Sequence, residues 1–153
     1  PGGVLQVVCD MLDQLLPEGL IVYTEDKNGN RKEYTSDEEH QFTKPLAVLA
    51  NENSASASEI FAGAIRDYGI GTIVGTTTFG KGIVQRTFYL SDGTGVKLTV
   101  AKYYTPKGHD IHKKGITPDV ETELDEELKN QSSISYEEDN QLQKAIEVLQ
   151  EEK

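Results

Sequence analysis

The stretch LAVLANENSASASEIFAGAIRDYGIGTIVG, residues 46–75, changes its hydrophobic period twice. It opens with five apolar residues bounded by Pro45 and Asn51, the pattern of a short strand buried on both faces. From about Ser56 the period becomes helical: Ile60, Phe61, Ala64, Ile65 and Tyr68 recur on one side, and Gly69 stands past the end as a C-cap. Residues 72–75 are again short and β-branched. Strand, helix and strand at these lengths predict a βαβ unit, hence an α/β fold with parallel pairing at its centre.

Working outward, residues 4–16 place Leu5, Val8, Cys9, Leu12, Leu15 and Leu16 along one side of a helix that Pro17-Glu18-Gly19 stops. Residues 20–24 and 30–35 flank Asn28-Gly29, a hairpin turn signal, and residues 36–40 read as an exposed polar loop. Beyond the βαβ unit, residues 83–90 and 95–102 are extended around Asp92-Gly93, with continuation to Thr105 until Pro106-Lys107-Gly108 breaks the run. Residues 109–135 read as loop and coil. A terminal helix over 141–149 turns Leu142, Ala145, Ile146 and Leu149 inward. The expected organisation is a core over residues 1–125 and an acidic segment over 126–153 whose helix packs on that core.

At 153 residues with 36% hydrophobic and 27% charged content, the chain is long enough to bury a core, and no run approaches the length of a transmembrane helix. The net charge of −11 sits mostly in the tail, where residues 119–153 carry 12 acids against 3 bases. Nothing is basic enough to follow a phosphate backbone, which argues against nucleic-acid binding. Cys9 alone cannot form an internal disulfide. The chain starts Pro1-Gly2-Gly3 without Met, as expected of a piece excised from a longer one.

Chemistry concentrates in two places. Gly75 to Lys81 fits the G-x-x-x-x-G-K spacing of a phosphate-binding loop, but Gly82 stands where a magnesium-ligating Ser or Thr belongs, and a strand follows instead of a helix. Lys81 needs another task. The second place is Ser54-Ala55-Ser56-Ala57-Ser58-Glu59, small residues where a strand feeds a helix. A serine there exposes its hydroxyl at the carboxyl edge of the sheet, and the next amide faces a developing oxyanion. Ser56 and Glu59 equally fit a capping box, and Ser54 and Ser58 compete for the same role. A lysine whose pKa burial lowers from about 10.4 can act as the general base, so a Ser-Lys pair needs no histidine. Other constellations are weaker: Cys9 lies on an apolar helix side, His109 and His112 lack a third metal ligand, and Asp10, Asp13, Asp37, Glu38 and Glu39 read as surface carboxylates.

Asn51-x-x-Ser-Ala-Ser-Ala-Ser-Glu59, then Thr78-Phe-Gly-Lys-Gly-Ile-Val-Gln85, Lys102-Tyr-Tyr-Thr-Pro-Lys-Gly108 and Gly115-Ile-Thr-Pro-Asp119 together resemble the carboxyl-terminal processing peptidases, or tail-specific proteases. The resemblance implies a crotonase-like spiral core with a mixed sheet and packed helices. It makes Ser56 the nucleophile, Lys81 the general base and Gln85 the residue that orients the lysine. Ala57 supplies one oxyanion amide, Gly2 or Gly3 the other, and Glu59 supports the site. It implies an endopeptidase that cuts unfolded or C-terminally tagged polypeptides near their C-terminus through an acyl-enzyme. No metal or organic cofactor is implied. A PDZ domain missing from this stretch presents the substrate, an oligomer is compatible, and the location is extracytoplasmic, in a bacterial envelope or secreted. The rival expectation is a noncatalytic relative that binds a peptide or partner on the same scaffold. Fully extended, residues 81–85 would hold Lys81 and Gln85 about 13 Å apart, so their contact requires a bend near Gly80 and Gly82.

Overall fold

A computed structural model describes residues 1–151. In chain order the elements are α1 (Leu5–Asp13), β1 (Gly19–Asp26), β2 (Arg31–Ser36), β3 (Ala47–Ala50), α2 (Ala57–Tyr68), β4 (Thr72–Gly75), β5 (Ile83–Tyr89), β6 (Gly95–Tyr104), β7 (Val120–Glu121) and α3 (Asn140–Glu151). They form a mixed α/β fold with two sheets. One is antiparallel in the order β2-β1-β6-β5, and the other is parallel in the order β3-β4-β7.

The βαβ unit forms as its periodicity predicts. β3 and β4 pair in parallel from Ala47 opposite Thr72 to Ala50 opposite Gly75, and α2 connects them, closed by Gly69 at φ 66°. Side chains alternate along β4 as a pleated strand requires. Ile73 faces the main core with Leu12, Leu16, Ile21, Ile65 and Ile116, while Val74 faces Ala145 and Val148 of α3. The parallel sheet thus has helices on both faces.

Four expectations change. β3 is an edge strand, so Leu49 is 46% exposed instead of buried on both faces. Ser36 is buried at the end of β2, where its hydroxyl donates to the carbonyls of Pro17 and Gly19. Within 109–135 lies β7, whose two residues are too few to show a period. It is set in register by Asp119, whose carboxylate accepts the Ile73 N–H at 2.8 Å. In α3 the buried pair is Ala145 and Val148, with Leu142, Ile146 and Leu149 only partly covered.

The chain leaving β6 runs back over the core as a strap, residues 105–116. Asp67 of α2 accepts the Lys107 N–H at 2.9 Å and faces His109 Nδ1 at 3.4 Å. Asp110 accepts from Lys102 Nζ at 2.8 Å and from the His112 N–H at 2.9 Å. Burial lifts the Asp110 carboxyl, but the bonds from Lys102 and the His112 N–H outweigh it and hold it below the ordinary 3.8. The same pair holds Lys102 above its ordinary 10.5.

Two measurements test this packing. Leu12, fully buried, should lose about 2–5 kcal/mol of stability on Leu12→Ala in urea denaturation. Its neighbour Met11, 53% exposed, should change by no more than about 0.5 kcal/mol on Met11→Ala. The strap pair should show a pH window. Because the folded Asp110 carboxyl is lowered, its stabilisation is present above 3.8 and is lost as pH falls through the folded value. Because Lys102 is raised, its share is present below 10.5 and is lost as pH rises past that. The stability gap between the parent and Asp110→Asn should therefore be full at neutral pH and close in acid.

Candidate active site

Ser56 sits immediately before α2 with φ 57° and ψ −113°. This left-handed backbone is one that a residue with a Cβ rarely adopts, at a cost on the order of 1–3 kcal/mol. It persists because its surroundings hold it. The Ser56 N–H donates to Glu59 Oε2 at 2.8 Å, and the Ser56 carbonyl accepts from Glu59 and Ile60. As the first residue of α2, Ala57 has an amide with no intrahelical acceptor. Gly2 lies against it. A Cβ on Gly2 would run into the Ala55 carbonyl and come within 2.9 Å of the Ala57 nitrogen and 3.3 Å of Ser56 Cβ. Gly3, one residue on, has open space on its Cβ side.

Glu59 is the deepest polar group here, with 0% exposure. Its Oε1 accepts from Thr78 Oγ1 and the Gly80 N–H, both at 2.6 Å, and its Oε2 accepts from the N–H groups of Ser56 at 2.8 Å and Lys81 at 2.7 Å. One carboxylate therefore binds the main chain at both Ser56 and Lys81. The Phe79 N–H also donates to the Ser54 carbonyl at 3.0 Å, which lashes the lysine loop to the serine loop a second time.

The glycines beside Lys81 have a packing cause. The strap runs directly alongside, and the Lys113 N–H donates to the Gly80 carbonyl at 2.8 Å. A Cβ on Gly82 would lie 2.5 Å from the His112 nitrogen, and one on Gly80 would lie 3.1 Å from Lys113 Cα and the Gly115 nitrogen. Only bare backbone lets the two segments approach this closely. Near the expected bend Gly80 takes φ 85°, β5 begins at Ile83, and the register shift between Val84 and Gln85 leaves Val100 of β6 as the extra residue.

The side chains are less assembled than the backbone. Lys81 is exposed, so the burial expected around its amine is not present in this structure, and Gln85 is exposed too. Among the described residues no hydrogen bond joins Lys81 to Ser56 or to Gln85. Beside the Ala57 amide opens an apolar depression of about 370 Å³ lined by Gly3, Val7, Met11, Leu49, Ala57 and Phe61, among others.

Rival residues fall into structural roles. Ser54 Oγ accepts the Asn51 N–H at 3.0 Å. Cys9 is buried, and desolvation, with Asp10 adding, pushes its thiol up to about 11, which makes it a poor nucleophile. His109 faces Asp67, while His112 Nδ1 is buried without a partner. Sequence reasoning placed Glu59 at the cap but did not foresee its reach to Lys81, and gave Thr78 no role. Both lie inside the quoted motifs, but the bonds that join them cross about twenty residues of chain.

Residues 1–122 match the family described as Peptidase family S41. The carboxyl-terminal-processing protease of Synechocystis sp. is 47% identical over 149 residues, which are 97% of this chain and 34% of that protein. The carboxy-terminal processing protease CtpA of Bacillus subtilis is 42% identical over 130 residues, 84% of this chain and 28% of that protein. A solved photosystem II D1 C-terminal processing protease superposes with a TM-score of 0.76 at 43% identity, covering 80% of this chain and 32% of that one. The chain spans about a third of the length of these relatives. With the match running through the serine cluster, the lysine loop and the strap, the chain belongs to peptidase family S41 and is similar to carboxyl-terminal processing proteases.

Proposed function

We propose that this chain carries the nucleophile and base of a serine endopeptidase that cuts unfolded or C-terminally tagged polypeptides near their C-terminus. The observation that carries it is the single buried carboxylate bound to the main chain of both Ser56 and Lys81, beside a serine held at positive φ. Strain at a half-buried nucleophile and a fixed base loop suit acyl transfer.

In the proposed cycle the neutral amine of Lys81 takes the proton of Ser56 Oγ as that oxygen bonds to the scissile carbonyl carbon. The oxygen of that carbonyl gains negative charge and is received by the Ala57 N–H and an amide at Gly2 or Gly3. The position of Gly2 against Ala57 supports this second donor. As the carbon–nitrogen bond breaks, the Lys81 ammonium returns the proton to the leaving amine. Water, deprotonated by Lys81, then attacks the ester carbonyl carbon, and the Lys81 ammonium returns that proton to Ser56 Oγ as the ester bond breaks. Gln85 orients the lysine. Since Lys81 is exposed here, its enclosure comes with bound substrate. The depression beside Ala57 takes a small or apolar side chain next to the cut.

The wider setting follows the family resemblance: a crotonase-like spiral core, a PDZ domain in cis that presents the C-terminus by strand addition, and an extracytoplasmic location. The parallel sheet with helices on both faces supports the core assignment. One observation favours a second reading, a noncatalytic binder: the Lys81 ammonium is exposed and unbonded to Ser56.

Mutation separates the two readings. In the full-length protein, Ser56→Ala and Lys81→Ala should each abolish cleavage of an unfolded protein while circular dichroism stays unchanged, and the double variant should be no worse than either single one. No cleavage by the parent protein would leave only the binder, and cleavage at the parental rate by Ser56→Ala would remove Ser56 as the nucleophile. Single-turnover acylation should rise with pH along a lysine titration and not a histidine one, and Lys81→His should not restore it. A profile that survives replacement of Lys81 would remove it as the base.

A further inference from the structure

We infer that Thr78 is a positioning residue for this site, acting on Ser56 and Lys81 through Glu59. The inference rests on the peptidase reading of that pair and adds a residue that the reading does not use. Thr78 is only 5% exposed, and both directions of its hydroxyl are assigned. Its oxygen accepts the Ile116 N–H at 2.7 Å, so its proton points to Glu59 Oε1 at 2.6 Å.

The Glu59 carboxylate has no lysine, arginine or histidine paired with it among the described residues. It is held by four donors, two on each oxygen, which fills the acceptor capacity of a carboxylate. Three of the four are main-chain amides, those of Ser56, Gly80 and Lys81. The fourth is Thr78, the single side chain in the set and so the one whose donor substitution can remove. Thr78 also couples the set to the strap, because its own N–H donates to the Ile116 carbonyl at 3.1 Å while the Lys113 N–H holds Gly80. Without the hydroxyl, Oε1 keeps only Gly80, and the carboxylate is free to tilt away from the pair of amides that align nucleophile and base.

A threonine that merely fills space would be replaced harmlessly by valine, which has its shape but no donor. The comparison is acylation of Ser56 by an activated peptide ester in the full-length protein, read by mass spectrometry at varied ester concentration, with Ser56→Ala in parallel. Thr78→Val should lower the acylation rate constant roughly 10- to 100-fold, since hydrogen bonds to charged groups are the strong ones, with half-saturation changed less than about twofold. Thr78→Ser, which keeps the donor, should recover most of the rate. In a Glu59→Gln background, Thr78→Val should add little, because both act on one set of bonds. Parental acylation by Thr78→Val with Ser56→Ala silent would overturn the inference while the peptidase reading stands. Acylation retained in Ser56→Ala would sink that reading and the inference with it. A Thr78→Ser variant as impaired as Thr78→Val, or losses that multiply in the Glu59→Gln background, would also overturn the role. Should Thr78→Val not fold, Thr78→Cys, a weak donor of similar size, decides: a lower rate constant at unchanged half-saturation supports the role, and a parental rate constant ends it.

Discussion

A carboxylate with 0% exposure and no counter-ion among the described residues constrains the rest of this structure. Burying such a group is costly unless every lone pair finds a donor, and breaking one bond of a buried set leaves the others strained. Glu59 meets the condition by drawing donors from two places, the start of α2 and the loop after β4. The satisfaction of one side chain therefore dictates the relative position of two loops. A shift of either loop would strand part of the carboxylate, so the bonds make the separation of Ser56 and Lys81 main chains a property of the fold and not of two flexible segments.

That requirement explains the composition around the site. To bring Gly80 and Lys81 amides onto Glu59, the lysine loop must lie beneath the strap, whose backbone at residues 112–115 would collide with Cβ atoms at positions 80 and 82. The glycines flanking Lys81 are thus packing residues, and their likeness to a phosphate-binding loop is a coincidence of spacing. Gly2 meets a similar limit on the other side, against Ala55 and Ala57. Small residues in the serine cluster are the matching half of that approach.

The parts of the fold legible in the sequence are those where one local period lasts several residues: α1, the β1-β2 hairpin, the βαβ unit and the long β5-β6 pair. The misread elements owe their state to neighbours. Leu49 is as apolar as a central-strand residue, yet β3 stands at an edge. Ser36 is polar yet buried, because the carbonyls of Pro17 and Gly19 happen to converge on it. β7 exists because Asp119 and Ile73 meet across 46 residues, which no window can register. At the site, Ser56 and Lys81 could be named from motif likeness. The Glu59 and Thr78 bonds could not, because a capping-box pattern fully accounts for a glutamate three residues after a serine and leaves no residue unexplained.

The site also divides its rigidity. Main-chain atoms of Ser56, Ala57 and Lys81 are fixed by α2, by Glu59 and by the strap, while the lysine's four-carbon stem ends in solvent. A lysine built this way has an anchored origin and a movable tip. Anchoring fixes where the stem starts, while the rotamer freedom of the stem, about 1.5–2 kcal/mol for a lysine, is still to be lost when the amine is held. The exposed tip keeps its water until something covers it. On the proposed peptidase reading, substrate that displaces this water brings the amine inward, which ties activation of the nucleophile to occupancy of the site.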